Sequence, residues 1–129
     1  MTMRKHTIQI VDDDQANSRL LEAQLKHEGY DILIANSGDQ CLAQVKARLP
    51  DLILLDIMMP GLDGFDVVAR LKADRSTENI PVIMITMLED RRSRMKALSL
   101  GAEEFLNKPV DRAELVARVR NMLHLKDFQ

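Results

Sequence analysis

Six residues in this chain have the types and spacing for joint chemistry: Asp12, Asp13, Asp14, Asp56, Thr86 and Lys108. The first three follow a short apolar run, Asp56 follows another, Thr86 closes a third, and Lys108 stands before Pro109. Two carboxylates about 4 Å apart repel by roughly 4 kcal/mol at an effective dielectric near 20. Acids brought together therefore need a cation or raised pKa values. Oxygen donors without His or Cys select a hard cation, and Mg²⁺ fits that set. Mg²⁺ keeps several waters and is held by carboxylates together with a phosphate. A lysine supplies a point charge for that phosphate, and a threonine hydroxyl can donate to a phosphoryl oxygen. Taken singly, each residue says less. Asp14 reads as the N-cap of a following helix, and Asp12 and Asp13 alone fit capping or solvation as well as metal binding.

The elements that must position these residues alternate along the chain. Short apolar runs cover Thr7–Val11, Asp31–Ala35, Asp51–Leu55, Pro81–Thr86 and Glu104–Asn107. Continuous apolar runs of this length predict strands buried on both faces, as in a parallel sheet. Between and after them, Gln15–Glu28, Gly38–Leu49, Gly64–Ala73, Arg91–Leu100 and Arg112–Leu125 place apolar residues at the helical period. The expected stripes are Ala16, Leu20, Leu21 and Leu25; Leu42, Val45 and Leu49; Phe65, Val68 and Leu71; Met95 and Leu98; and Leu115, Val116, Val119, Met122 and Leu123. Asp14, Ser37 and Asp111 stand where helices begin, and Gly29 and Gly101 where helices end. This alternation predicts an α/β fold, a doubly wound five-stranded parallel sheet of flavodoxin-like order 2-1-3-4-5 with five helices. In that order the polar residues after strands one, three, four and five gather at one sheet edge.

The chain's bulk properties exclude other classes. Its 129 residues fit one domain, with about 112–129 as the last helix and a tail that could begin a linker to an output domain. The hydrophobic fraction of 46% and charged fraction of 29% are those of a globular protein. A net charge of −2 gives no drive toward nucleic acid or an anionic membrane. No signal peptide or spanning segment is expected. The single cysteine, Cys41, permits no internal disulfide and fits a cytoplasmic location. It lies beside an apolar stripe and is expected to be buried. His6, His27 and His124 lack metal-ligand spacing and are expected at the surface.

Four segments in order resemble the receiver domain of two-component response regulators. They are Ile10–Asp14, Leu54–Gly64, Pro81–Thr86 and Gly101–Pro109. The resemblance implies that Asp56 accepts a phosphoryl group from a phosphohistidine on a sensor histidine kinase or phosphotransfer protein. It implies Mg²⁺ held by Asp13 directly, by Asp12 through water, by Asp56, and by the backbone carbonyl of Met58. Lys108 would contact the phosphoryl group, with a cis bond to Pro109. Thr86 would swing toward the phosphoryl group, and Phe105 would be the aromatic that rotates inward on activation. The chain would then be a signalling receiver that catalyses only its own phosphorylation and dephosphorylation, and it would control an output domain or protein.

Departures and alternatives bear on this reading. Met87 follows Thr86 where the family usually has a small residue, which keeps open a phosphorylation-deficient interaction module. Val110 replaces a commoner Phe and reads as neutral packing. A phosphatase with an Asp nucleophile would carry a general acid two residues on, where this chain has Met58. A flavin carrier would have its phosphate repelled by Asp12–Asp14. Arg91, Arg92, Arg94 and Lys96 read as a solvated helix face or a pairing surface. The resemblance also implies a dimer face from the fourth helix, fifth strand and fifth helix, with Glu103, Glu104, Arg118 and Arg120 available for salt bridges. Ala117–Arg120 resembles a run in receivers of diguanylate cyclase-type regulators. Leu125 and Phe128 are apolar near the chain's end.

Overall fold

The computed structural model of the protein describes residues 5–88 and 90–127. Five strands alternate with five helices: β1 (Thr7–Val11), α1 (Gln15–Lys26), β2 (Asp31–Ala35), α2 (Gly38–Ala47), β3 (Leu52–Leu55), α3 (Gly64–Ala73), β4 (Val82–Thr86), α4 (Arg91–Ser99), β5 (Glu104–Asn107) and α5 (Arg112–Asp127). The strands form one parallel sheet in the order β2-β1-β3-β4-β5. The central strands β1, β3 and β4 are buried throughout, whereas the edge strands β2 and β5 are only partly covered.

Alternate side chains feed two cores. On one face Ile8, Ile10, Leu52, Leu54 and Ile83 pack with Leu21 and Leu25 of α1 and Leu115, Val119 and Leu123 of α5. On the other, Val11, Ile53, Leu55 and Met84 pack with Cys41 and Val45 of α2, Val67, Val68 and Leu71 of α3, and Ala97 of α4. Gln9 enters this second layer as a buried polar residue. Its amide donates to the Cys41 carbonyl at 3.2 Å, and its carbonyl oxygen accepts from the Cys41 thiol at 3.3 Å. Cys41 is fully buried, as expected, and burial pushes its thiol pKa up to about 12.

Several boundaries move by a few residues. β3 begins at Leu52 because Asp51 turns its carboxylate onto the backbone N–H of Thr7, at 2.8 Å. β4 begins at Val82 because Pro81 has no N–H for the ladder. α1 stops at Lys26 before Gly29, whose φ of +88° suits the expected glycine cap; Gly101, at +110°, does the same after α4. α2 stops at Ala47, since Arg48 is already extended ahead of Pro50, and Leu49 lies exposed rather than on the helix stripe. Asp14 and Ser37 cap α1 and α2, and Asp111 accepts from the Glu114 N–H. α4 ends at Ser99, and Leu100 caps it. α5 runs on to Asp127, and Phe128 lies outside the described residues.

Two expected stripes are corrected. Ala16 and Leu20 face outward, so α1 buries Leu21 and Leu25. Met95 and Leu98 are exposed, and α4 buries Ala97 instead. A small residue lets this short helix sit close to the sheet edge while its longer side chains point away. His27 and His124 are exposed. His6 is only half-buried; its Nε2 lies 3.3 Å from Asp127 and its ring meets Tyr30 edge-on. No helix among the described residues is long and apolar enough to cross a membrane.

Candidate phosphoryl-accepting site

Strand register builds the site. Val11 of β1 pairs with Leu55 of β3, so Asp12 and Asp56 leave the sheet side by side. The ladders continue past the strand ends: the Asp56 N–H donates to the Val11 carbonyl at 2.9 Å, and the Lys108 N–H to the Thr86 carbonyl at 2.9 Å. The strand order reverses between β1 and β3, and ligands in open α/β sheets bind outside the carboxyl ends of strands at such a point.

Four expected residues meet there. The Lys108 ammonium lies 2.9 Å from Asp12 Oδ2 and 3.3 Å from Asp56 Oδ2. Asp56 Oδ1 accepts from the Met58 N–H at 3.3 Å, and Asp12 Oδ1 from the Asp14 N–H at 2.9 Å. Asp12 and Asp56 are buried, whereas Asp13 is exposed beside them. One carboxylate oxygen from each of the three lies within 4.8 Å of the others. An octahedral Mg²⁺ with bonds of about 2.1 Å spans about 4.2 Å between opposite ligands, so the trio fits such an ion with little closure.

The charges are in tension. Burial raises the Asp56 pKa above its ordinary value of 3.8; the Lys108 charge opposes this and the Asp12 charge adds to it. Burial pushes Lys108 down, but the hydrogen bond it donates to Asp12 and the charges of both carboxylates outweigh it, so its pKa is raised. The ammonium is therefore firmly charged, and it is the residue that lets two buried acids coexist.

The remaining expected residues lie around this centre. Thr86 is fully buried, and its hydroxyl oxygen accepts from the Leu88 N–H at 3.2 Å. Phe105 is buried, with its ring turned inward under the guanidinium of Arg94. The Lys108–Pro109 bond is cis. The Met58 and Met87 side chains are open to solvent, Met87 at 72% exposure. Met87 borders a groove of about 260 Å³ with Leu20, Leu21, Pro109, Val110 and Lys108.

Other contacts were not readable from sequence. Lys72 ties together the carbonyls of Glu78 and Ile80 and the carboxylate of Glu103, at 2.9–3.2 Å. Glu103 thus turns to α3 and Arg120 toward Glu28, while Arg118 pairs with Glu104 at 3.3 Å. The Asp63–Asp66 capping box at α3 was legible as a spacing but is not among the expected caps.

The sequence model of the response regulator receiver domain matches residues 8–120. The response regulator PleD of Caulobacter vibrioides is 50% identical over 119 residues, 92% of this chain and 26% of that protein. The phosphate regulon transcriptional regulatory protein PhoB of Rhizobium meliloti is 38% identical over 116 residues, 90% of this chain and 51% of that protein. A crystal structure of a CheY-like response regulator receiver domain protein from Methanospirillum hungatei superposes with a TM-score of 0.90 at 27% identity, covering 96% of this chain and 98% of that one. The chain belongs to the response regulator receiver domain family of two-component systems. It spans only a quarter to a half of the length of the two curated relatives named here.

Proposed function

We propose that this chain takes a phosphoryl group on Asp56 from a phosphohistidine of a partner kinase or phosphotransfer protein, and that the modified site switches an output. The observation that carries the reading is the Lys108 ammonium bridging the buried carboxylates of Asp12 and Asp56 at the strand-order reversal. An Asp56 oxygen attacks phosphorus. The P–N bond breaks, its electron pair leaves with the imidazole nitrogen, and that nitrogen takes up a proton. Lys108 neutralises charge on the phosphoryl oxygens, and Thr86 donates its hydroxyl proton to one of them. Asp13, Asp56 and the Met58 carbonyl, with Asp12 through water, would hold Mg²⁺, which when bound supplies further charge neutralisation. The later hydrolysis of the acyl phosphate resets the site. Phe105 is the switch aromatic of this reading.

Response regulators pair with histidine kinases and output domains. The donor's landing face would be the groove beside Lys108, where Leu20 and Met87 are exposed apolar residues. The output would be reached through α4, β5 and α5, which would also serve a homodimer. The protein would act in the cytoplasm without touching nucleic acid or membrane itself. The phosphorylation-deficient alternative gains nothing from Met87, whose side chain is open to solvent.

Intact-mass measurement after incubation with acetyl phosphate and Mg²⁺ tests this. A gain of one phosphoryl group is expected, lost with EDTA and absent in Asp56→Asn. An unmodified mass in the unaltered protein would overturn the reading. Mg²⁺ at 100-fold its Kd should also stabilise the fold by about 2.7 kcal/mol. Asp13→Asn should remove most of that gain without changing the metal-free melting temperature, because Asp13 is exposed.

A further inference from the structure

An apolar trough lies between the loop after β3, the first turn of α3 and the loop after β4. Met58, Met59, Pro60, Phe65 and Leu88 line it, Asp63 is its one polar residue, and its volume is about 470 Å³. The Asp63 carboxylate is already committed to the α3 cap, where it accepts from the Asp66 N–H at 2.9 Å. Met58 is 58% exposed at the rim. Covering such a side chain gains free energy in proportion to the apolar area removed from water, and a thioether adapts its shape to whatever covers it.

One side of this trough is charged. The Lys96 ammonium of α4 stands 4.4 Å from the ring centroid of Phe65, within the range of cation–π attraction. Arg92 precedes Lys96 by one turn, so the two share a helix face and lie about 6 Å apart along the axis. Both are exposed. The nine residues of α4 hold four cations and no acid. Among the described residues, Arg91, Arg92, Arg94 and Lys96 make no salt bridge. Asp90, just before the helix, spends its carboxylate on the N–H and hydroxyl of Ser93. Arg94 looks the other way, with its guanidinium 6.0 Å from the ring centroid of Phe105 in β5. The two flanks of α4 are therefore distinct surfaces.

We propose that the trough is a docking site for an acidic segment of a partner protein, which seats an apolar side chain against Met58 and Leu88 and sets carboxylates on Arg92 and Lys96. Charge complementarity selects this occupant. A basic segment would meet four like charges on one short helix, and a neutral one would leave them without partners. The site lies on the α3 flank of α4, apart from the α4–β5–α5 face given above to the output and the homodimer. Each exposed ion pair adds little, so the apolar anchor and the carboxylates must act together. Docking needs neither metal nor phosphoryl group, and the proposal does not rest on the phosphoryl-acceptor reading.

The probe is the peptide Asp-Asp-Leu-Phe-Asp-Asp-amide with fluorescein on its N-terminus, titrated with the full chain in metal-free buffer at low salt. Saturable binding at or below about 1 mM is expected, and it should weaken as salt is added. The same labelled peptide with lysine for each aspartate should not bind. Arg92→Gln and Lys96→Gln should each weaken binding about 2–5-fold, the loss of one exposed ion pair. Met58→Asp, which sets a charge at the rim, should weaken it at least as much. Arg94→Gln and Arg118→Gln, on the β5 and α5 side, should leave it unchanged. These side chains are exposed, so the variants should melt like the original. In methyl spectra assigned by Met→Leu variants, the Met58 and Met59 resonances should move on titration. That of Met122, which packs in the opposite core layer, should stay. No saturation by about 1 mM, equal binding of the lysine peptide, unmoved Met58 and Met59 resonances, or a loss in Arg118→Gln as large as in Lys96→Gln overturns the proposal. A chain that takes up no phosphoryl group from acetyl phosphate would sink the acceptor reading and leave this result intact.

Discussion

Asp56 carries a conflict that its neighbours only partly relieve. Burial and the Asp12 charge disfavour its ionised form, and Lys108 favours it; burial wins, and the pKa rises. A carboxyl whose folded pKa exceeds its unfolded value of 3.8 costs stability when ionised. That cost is complete above the raised pKa, and it is relieved as pH falls through the raised value toward 3.8. Asp56→Asn keeps the shape and removes the charge. In metal-free buffer its melting temperature should exceed that of the original chain at pH 7, and the gap should close as the pH is lowered. An equal or lower melting point at pH 7 would contradict the electrostatic account. The site's membership was legible in sequence, because acids, a threonine and a lysine stood at the ends of apolar runs. Which carboxylate Lys108 would hold was not, because bridging two acids depends on how β1, β3 and β5 are spaced in the sheet. Arg94 and Lys96 read only as charges on a helix, since nothing local says that aromatic rings lie beneath them.

Among the elements, α3 is set tightly against the site. A Cβ added to Gly64 would lie 2.5 Å from the Asp56 carbonyl oxygen and 2.6 Å from the Ile57 Cα. The Gly64 N–H also donates to the Ile57 carbonyl at 2.8 Å. The first turn of α3 thus rests on the backbone that carries the candidate acceptor, and no side chain fits between them. Gly64→Ala should cost about 1–3 kcal/mol by overpacking, read as a lowered melting temperature. It should also slow phosphoryl uptake from acetyl phosphate, because the Asp56 backbone must shift. A variant that melts and reacts like the original would show that the loop yields freely. Strands and helix cores were readable from periodicity because burial on two faces leaves unbroken apolar runs. Helix ends were less so, since Arg48 ends α2 by turning extended ahead of Pro50 and not at a glycine. α4 was misread for a related reason. Its longest apolar residues, Met95 and Leu98, are outside, and the residue that matters for packing is its small Ala97.

At the scale of the whole molecule, two cores on opposite faces share one sheet, and the site sits on the rim where both layers end. At the other rim the Lys72–Glu103 tie closes the turn between α3 and β4 onto the turn before β5. The chain's course also brings its described extremities together, with His6 against Asp127. A domain with adjacent ends needs little linker to be closed into a ring. A circular permutant that joins residues 5 and 127 and opens at the exposed Gly29 should melt cooperatively and accept a phosphoryl group. A permutant that does not fold would argue against that proximity. The same geometry makes the domain a cassette. Spliced into a surface loop of a host protein, it would span hardly more than the gap of an ordinary turn, and strain set up within it would reach the host through both seams at once.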